Sequence, residues 1–309
     1  MELGGELDVL LRLLALLVVL LVGTGLRLSG VLDATRTDWL NAVAYYVALP
    51  ALIFISVYDQ NIGELLSLTL VAGLLLVLFS TAGLAWIVHQ IQGSESDRQS
   101  VAIVQSYHSN LGYLGLPLVA ATFGAQVTAI ASVVLGVVTL VQVPLTILVL
   151  STFNGADVEL IDELRGLALN PVLLSLFAGL AIGSSGVFVP GTVATGLDGV
   201  GSLALPLALL CVGASLEVDL PAIDFGATGS VVAIKIVAMP IFAWLVFSTL
   251  AVDTATFVAS VVMLGTPTAV STYVFAAELQ GDEEFASVNV FATTLVSIVT
   301  LFVLITMLT

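Results

Sequence analysis

Apolar runs of about twenty residues, separated by short polar breaks, recur ten times along the chain. They fall at residues 9–28, 39–58, 65–91, 99–123, 125–153, 167–184, 193–216, 227–250, 254–278 and 285–308. A helix needs about twenty apolar residues to cross the hydrocarbon of a bilayer. It can do so because its backbone polar groups bond within the segment. The breaks at 29–38, 59–64, 92–98, 154–166, 217–226 and 279–284 are too short to fold as domains. The pattern predicts an all-α membrane protein of ten transmembrane helices, with no water-soluble domain.

Composition sharpens this reading. Of 309 residues, 59% are hydrophobic and 9% charged, against about a quarter charged in soluble proteins, which excludes a soluble enzyme. Lys and Arg number 6 against 22 Asp and Glu, a net charge of −16. A basic footprint is absent, so no nucleic-acid partner is expected; the lipid bilayer is the surrounding partner. The acids must crowd into loops and termini, a surface suited to concentrated salt, and a halophilic source is expected. Cys211 has no second cysteine to pair with. Residues 1–8 are acidic, and no small-residue cleavage pattern follows the next apolar run, so the first helix is expected to be retained. There is no His-Glu-x-x-His, Gly-x-Ser-x-Gly or Walker loop. No catalytic residue, metal or cofactor is expected.

Basic residues orient the chain. Arg27 and Arg36 flank the first loop, Arg98 closes the third and Arg165 lies in the fifth, all on one face in a ten-span count. By the positive-inside rule that face is cytoplasmic, which puts both termini outside a multi-pass cell-membrane protein.

The halves resemble each other. Gly23, Gly30 and Ala48-Leu49-Pro50 match Gly179, Gly186 and Ala204-Leu205-Pro206 at an offset of 156; Leu114-Gly115 and Pro117 match Leu264-Gly265 and Pro267 at 150. Residues 1–153 read as a first five-helix repeat, 154–166 as a short cytoplasmic tether, and 167–309 as a second repeat. Five is odd, so the second repeat inserts upside down. Inverted repeats characterise secondary transporters, with the site near the midplane.

The fourth and ninth spans carry the chemistry. The fourth reads Ser109-Asn110-Leu111-Gly112-Tyr113-Leu114-Gly115-Leu116-Pro117, the ninth Gly265-Thr266-Pro267-Thr268-Ala269-Val270-Ser271. Proline removes a helix hydrogen bond and clashes with the preceding turn, and an unpaired peptide group in hydrocarbon costs several kcal/mol. Paired breaks are therefore expected to face protein, water or a ligand. Residues 110–117 and 265–268 are expected to be unwound, crossing at mid-membrane and offering half-helix N-termini to a carboxylate. Ser109, Asn110, Gly112, Gly115, Pro117, Gly265, Thr266, Pro267, Thr268 and Ser271 are the candidate substrate-binding residues. Pro50, Pro144, Pro206 and Pro240 read as kinks, and Gly179 with Gly183 as a close packing face.

Lys235 falls near mid-membrane, where a lysine costs about 3 kcal/mol or more unless paired or hydrated. It could neutralise the negative half-helix ends, pair with the substrate or carry a coupled proton; the first role is preferred by analogy. His108 reads as a pH-sensitive group at the site or as a hydrogen-bonded core histidine. Asp198 is the acid lying some turns into a span.

Asn110-Leu111-Gly112-Tyr113-Leu114-Gly115-Leu116-Pro117 resembles the Asn-x-Gly-x-x-Gly-x-Pro signature of the auxin efflux carrier family, which includes bacterial malate and malonate permeases. Leu49-Pro50, Asn170-Pro171, Leu205-Pro206 with Gly213, and Gly265-Thr266-Pro267 support it in family order. The resemblance implies two inverted five-helix repeats, crossing helices 4 and 9, and export or exchange of small organic anions. It also implies a scaffold of spans 1, 2, 6 and 7, a possible homodimer through it, and elevator-type alternating access by the other spans. The long hydrophilic central loop of the plant carriers is missing, so the short-loop prokaryotic branch fits better than an auxin carrier. A sodium- or proton-coupled symporter or antiporter of related design is the alternative. An intramembrane enzyme would need a catalytic pair that the spans lack.

Overall fold

The computed structural model describes Ala15, residues 18–215 and residues 224–309. The acidic start, most of the N-terminal half of the first predicted span, and residues 216–223 lie outside the described residues.

Among the described residues the chain is all helix, with no strand beyond one isolated bridge. In order, the helices longer than one turn are α1 (Val18–Leu28), α2 (Ala34–Val57), α3 (Leu68–Gln92), α4 (Ser96–Tyr107), α5 (Leu111–Thr122), α6 (Ala125–Asn154) and α7 (Leu160–Ala168). Then follow α8 (Pro171–Ser185), α9 (Gly191–Ala214), α10 (Phe225–Thr249), α11 (Thr254–Leu264), α12 (Ser271–Glu278) and α13 (Glu283–Leu308). Six of them (α2, α3, α6, α9, α10 and α13) are long and apolar enough to cross a membrane. The amphipathic α7 and the apolar α8 form a bent pair at 51°, which makes up to seven.

Capping sets the ends. Ser67, Asn170, Asp224, Asp253 and Asp282 each accept a hydrogen bond from the first turn of the helix they precede, and Gly93, Gly155 and Gly186 close α3, α6 and α8 in the left-handed conformation. Three interior prolines are absorbed by widening the helix, whereas Pro144 lies inside α6 without such a turn. A π-helical turn, Ala44–Ala48, Leu111–Gly115 or Ala233–Ala238, precedes Pro50, Pro117 and Pro240 in turn. Its longer hydrogen bonds avoid the carbonyl that the proline ring would strike.

Packing is closest where glycine removes the side chain. A Cβ at Gly213 of α9 would lie 2.0 Å from the Leu20 carbonyl oxygen of α1, and one at Gly183 of α8 would lie 2.2 Å from that of Gln60. Gly179 and Gly183 are thus the contact face of α8 on α2. Large apolar side chains such as Trp39, Phe79, Trp86, Leu148, Phe177 and Val299 are exposed around the outside. In water they would be a liability; in lipid they are the solvated surface.

The helix ends gather into two sets. Arg98 pairs with Asp224 at 3.3 Å, Ser230 bonds Gln92, and Asn154 donates to the Leu279 carbonyl. At the other end of α3, the Ile62 N–H reaches Ser184. The 25 residues of α3 hold these sets about 37 Å apart. Asp198, on α9, is exposed.

Candidate functional site

Two helices stop in mid-bundle. α4 ends at Tyr107 and α5 starts at Leu111; α11 ends at Leu264 and α12 starts at Ser271. The two unwound strands cross and pair antiparallel, Ser109 opposite Thr268. The Asn110 N–H donates to the Pro267 carbonyl at 2.8 Å, and the Ala269 N–H to the His108 carbonyl at 3.0 Å. Each break thus satisfies part of the other's backbone, as burial in a membrane demands.

Side chains satisfy the remainder. Gln142 of α6 grips the Ser109 peptide at both ends, accepting from its N–H at 3.1 Å and donating to its carbonyl at 3.2 Å. The Thr268 N–H donates to the Thr293 hydroxyl, and the Thr268 hydroxyl to the Gln105 carbonyl. Gln105 in turn donates to Thr272 and to the Ala286 carbonyl while accepting from Asn289. Gln105, Gln142, Asn289 and Thr293, none of them singled out from the sequence, hold the crossing in shape. Their one sequence signal is that they are uncharged polar residues inside apolar spans.

Lys235 sits in the π turn of α10, fully buried. Its Nζ donates to the carbonyl of Leu264, the last residue of α11, at 3.0 Å, and contacts Met239 Sδ at 3.2 Å. A cation at that point faces the negative end of a half-helix. The Ser109 hydroxyl also reaches Met239 Sδ, at 3.7 Å. His108 is buried, with Nδ1 2.8 Å from the Thr146 hydroxyl.

Beside the crossing lies a cavity of about 270 Å³. Both half-helix starts line it, Leu111, Gly112 and Tyr113 on one side and Ala269, Val270 and Ser271 on the other. Its polar lining residues include His108, Ser109, Asn110, Thr139 and Gln142, with Tyr45 of α2 and Asn170, the cap of α8, among apolar side chains such as Leu49, Leu135 and Phe275. Asn170 donates to the Tyr45 hydroxyl at 2.7 Å. Glu163 and Gly166 of α7 stand in the lining too, and among the described lining residues no Lys or Arg appears. At these starts the N–H groups of Leu111, Thr272 and Tyr273 are taken by the Ser109, Ala269 and Val270 carbonyls, while those of Gly112, Tyr113 and Ser271 have no backbone partner among the described residues. Asn110 is 3% exposed, and no hydrogen bond engages its side-chain amide among the described residues.

The candidate residues therefore separate. Ser109, Asn110, Gly112 and Ser271 line the cavity. The Thr266 hydroxyl is turned back to the Met263 carbonyl, and that of Thr268 is used by Gln105. Pro267 supplies its carbonyl to Asn110, and Gly265 packs against Leu304. A Cβ on Gly115 would lie 2.9 Å from Met263 Sδ and 3.2 Å from Thr266, so this glycine lets α5 approach the second break. Two expectations need correction. The first break is residues 108–110, whereas 111–117 is wound and Pro117 sits inside α5. Pro117 and Pro267, matched at an offset of 150, consequently hold unlike places, one within a helix and one within the gap. The reason is the π turn, which accommodates Pro117 without unwinding.

Two unwound segments crossing inside an apolar helical bundle, with a cavity lined by both helix starts, are an arrangement suited to a membrane transporter. The chain matches the family of membrane transport proteins over residues 8–163 and 158–305, and it belongs to that family, the auxin efflux carriers among them. It is 26% identical over 291 residues to an "Uncharacterized transporter" of Methanothermobacter thermautotrophicus, covering 93% of this chain and 94% of the other. It is 25% identical over 296 residues to a "Putative malonate transporter" of Rhizobium meliloti, covering 89% and 90% respectively.

Proposed function

We propose that this transporter is a secondary carrier of small organic anions, with short dicarboxylates such as malonate as the leading class, bound at the crossing. One observation carries the reading: two half-helix N-termini and the uncommitted Asn110 amide converge on one cavity. A carboxylate takes N–H donors from both helix starts and from Asn110, needing no buried cationic partner. The name of the Rhizobium relative favours the same class. Ser109 and Ser271 add hydroxyls at the wall. Lys235 neutralises the end of α11 and is not itself in the cavity lining.

The architecture proposed is ten spans in two inverted repeats, 1–153 and 167–309 joined by 154–166. The six long helices, α1, the α7–α8 pair and the two broken spans α4–α5 and α11–α12 make that number. The gathering of helix ends into two sets supports the alternation. By the positive-inside rule, the end carrying Arg98 and Arg165 is cytoplasmic and both termini are outside. The cavity, with Glu163 and Gly166 in its lining, then opens inward. The scaffold is α1, α2, α8 and α9, through which two copies pair. The crossing and the helices around it slide past the scaffold in an elevator motion, and Tyr45 and Asn170 mark the sliding surface. Concentrated salt would screen the charge of −16 that otherwise repels an anion.

Coupling to Na⁺ or H⁺ is the second reading, favoured by Glu163 in an otherwise uncharged lining. Against it, no Asp or Glu among the described residues is buried. Radiolabelled malonate uptake into proteoliposomes, with Na⁺ and proton gradients imposed separately, tests both. Uptake lost in Asn110→Ala is expected; uptake that this variant leaves intact would remove the site.

A further inference from the structure

The crossing has two outer edges. Ser109 and Thr268 stand opposite each other, but the strands are joined by the bonds on either side, Asn110 to Pro267 and Ala269 to His108. In such a pair the peptide groups of the two facing residues point outward, away from the partner strand. On the Ser109 edge Gln142 satisfies both the N–H and the carbonyl. On the Thr268 edge, which faces α13, Thr293 takes the N–H, and no donor meets the Thr268 carbonyl among the described residues. A second bare oxygen lies on that edge. Asn289, one turn before Thr293 and fully buried, has its Oδ1 without a partner. The network fixes which way this amide points. Gln105 Nε2 must face the Ala286 carbonyl, so Gln105 Oε1 faces Asn289 and takes its Nδ2. Thr268 and Asn289 are thus both bonded to Gln105 and both bonded to Thr293.

We propose that this edge of the crossing is a sodium site, built from the Thr268 carbonyl, Asn289 Oδ1 and the Thr293 hydroxyl oxygen, and that the ion travels with the anion. The inference rests on the carrier reading of the crossing and deepens it by naming the coupling ion. Buried acceptors gathered without a donor call for an occupant. The helix ends favour a cation. Lys235, the one lysine of the chain, serves the C-terminal end of α11, whereas at the end of α4 the Gln105 carbonyl is met by the neutral Thr268 hydroxyl. A cation on the Thr268 edge does for α4 what Lys235 does for α11. Unwound carbonyls and half-helix C-termini are the groups that hold coupling ions in broken membrane helices. The donors are neutral oxygens, and among the described residues no group of His, Cys, Asp or Glu can hold a metal; such a set suits a hard monovalent ion. Coupling follows from placement. The anion cavity lies on the Ser109 and Gln142 side and the cation on the other edge, so each charge lowers the cost of carrying the other through the membrane.

The test measures the melting temperature of the purified protein in detergent and malonate uptake into proteoliposomes, each in NaCl, KCl and choline chloride. All are held at one ionic strength, so that screening is the same. NaCl is expected to raise the melting temperature above that in the other two salts and to lower the malonate KM. Asn289→Asp supplies a charged ligand and should lower the sodium concentration for half-maximal uptake by about tenfold. Asn289→Ala removes a ligand and should raise that concentration by about as much. Both variants lose the same bond to Gln105, so a shared folding defect cannot move the sodium requirement in opposite directions. If neither variant folds, the salt response of the wild type decides. Equal behaviour in the three salts, alongside uptake that Asn110→Ala abolishes, would overturn the sodium site, give the two oxygens to a water, and leave the crossing as the anion site. Specific stabilisation by sodium with no malonate uptake in any salt would keep the ion site and remove the anion reading.

Discussion

Asn110→Asp is the sharpest test of the crossing because it changes charge with almost no change in shape. Asn110 stands at the start of α5 and its side chain makes no capping hydrogen bond, so the substitution removes no native bond, and a negative charge suits the helix start. The variant should therefore fold. Its carboxylate replaces a buried amide that no protein group engages, and so faces the bound ion directly. Two like charges about 4 Å apart repel by about 4 kcal/mol at an effective dielectric constant of 20. Losing the amide's charge-assisted hydrogen bond adds to that, roughly 1.5–3 kcal/mol. The repulsion alone is close to a thousandfold in affinity. Malonate uptake should show a KM raised by at least three orders of magnitude. Lowering the external pH should recover part of the loss as the new carboxyl takes up a proton. A cationic cargo would respond with the opposite sign, so an unchanged or lowered KM would refute binding of an anion at this amide.

Lys235→Met should lower thermal stability in detergent by about 1–3 kcal/mol, the cost of a buried carbonyl left unpaired at Leu264; an unaltered melting temperature would show that the ammonium is not what holds α11. Gly115→Ala should lower both stability and flux, because its Cβ meets Met263 at 2.9 Å. Gly112→Ala should fold normally, since its nearest neighbour is Leu49 at 3.9 Å, and should raise the KM by adding a methyl to the cavity; calorimetry and uptake on the two variants separate packing from binding. At the membrane surface, the Ala227 N–H holds the Asp224 carboxyl below its usual range against slight burial, with the Gly226 N–H and Arg98 assisting. A depressed value means that this cap is fully stabilising above the ordinary carboxylate range and is lost as pH falls through the lowered one. Asp224→Ala should therefore cost about 1 kcal/mol at neutral pH and nothing at pH well below that range, read as the difference in melting temperature.

Hydropathy alone located the six helices long and apolar enough to cross a membrane to within a few residues over the described chain, because lipid imposes the same requirement on every helix whatever it packs against. The two interruptions were legible because glycine, proline and clustered hydroxyls coincide there, whereas a lone proline such as Pro144 leaves α6 unbroken. The position of the first break was not legible. Pro117 looked like the interruption, yet a π turn absorbs it and the chain opens at 108–110 instead, a choice settled by the pairing of Ser109 with Thr268. Nor could the sequence divide the candidate hydroxyls and amides into those spent on backbone and those left for a ligand. Thr266 and Thr268 are consumed by carbonyls close in space, Asn110 is not, and Gln105, Gln142 and Asn289 reach the crossing from segments as much as 184 residues apart. A side chain's own chemistry is written in its letter. Whether its hydrogen bonds are already taken depends on which distant peptide groups the folded bundle brings within 3 Å, and only the tertiary structure decides that.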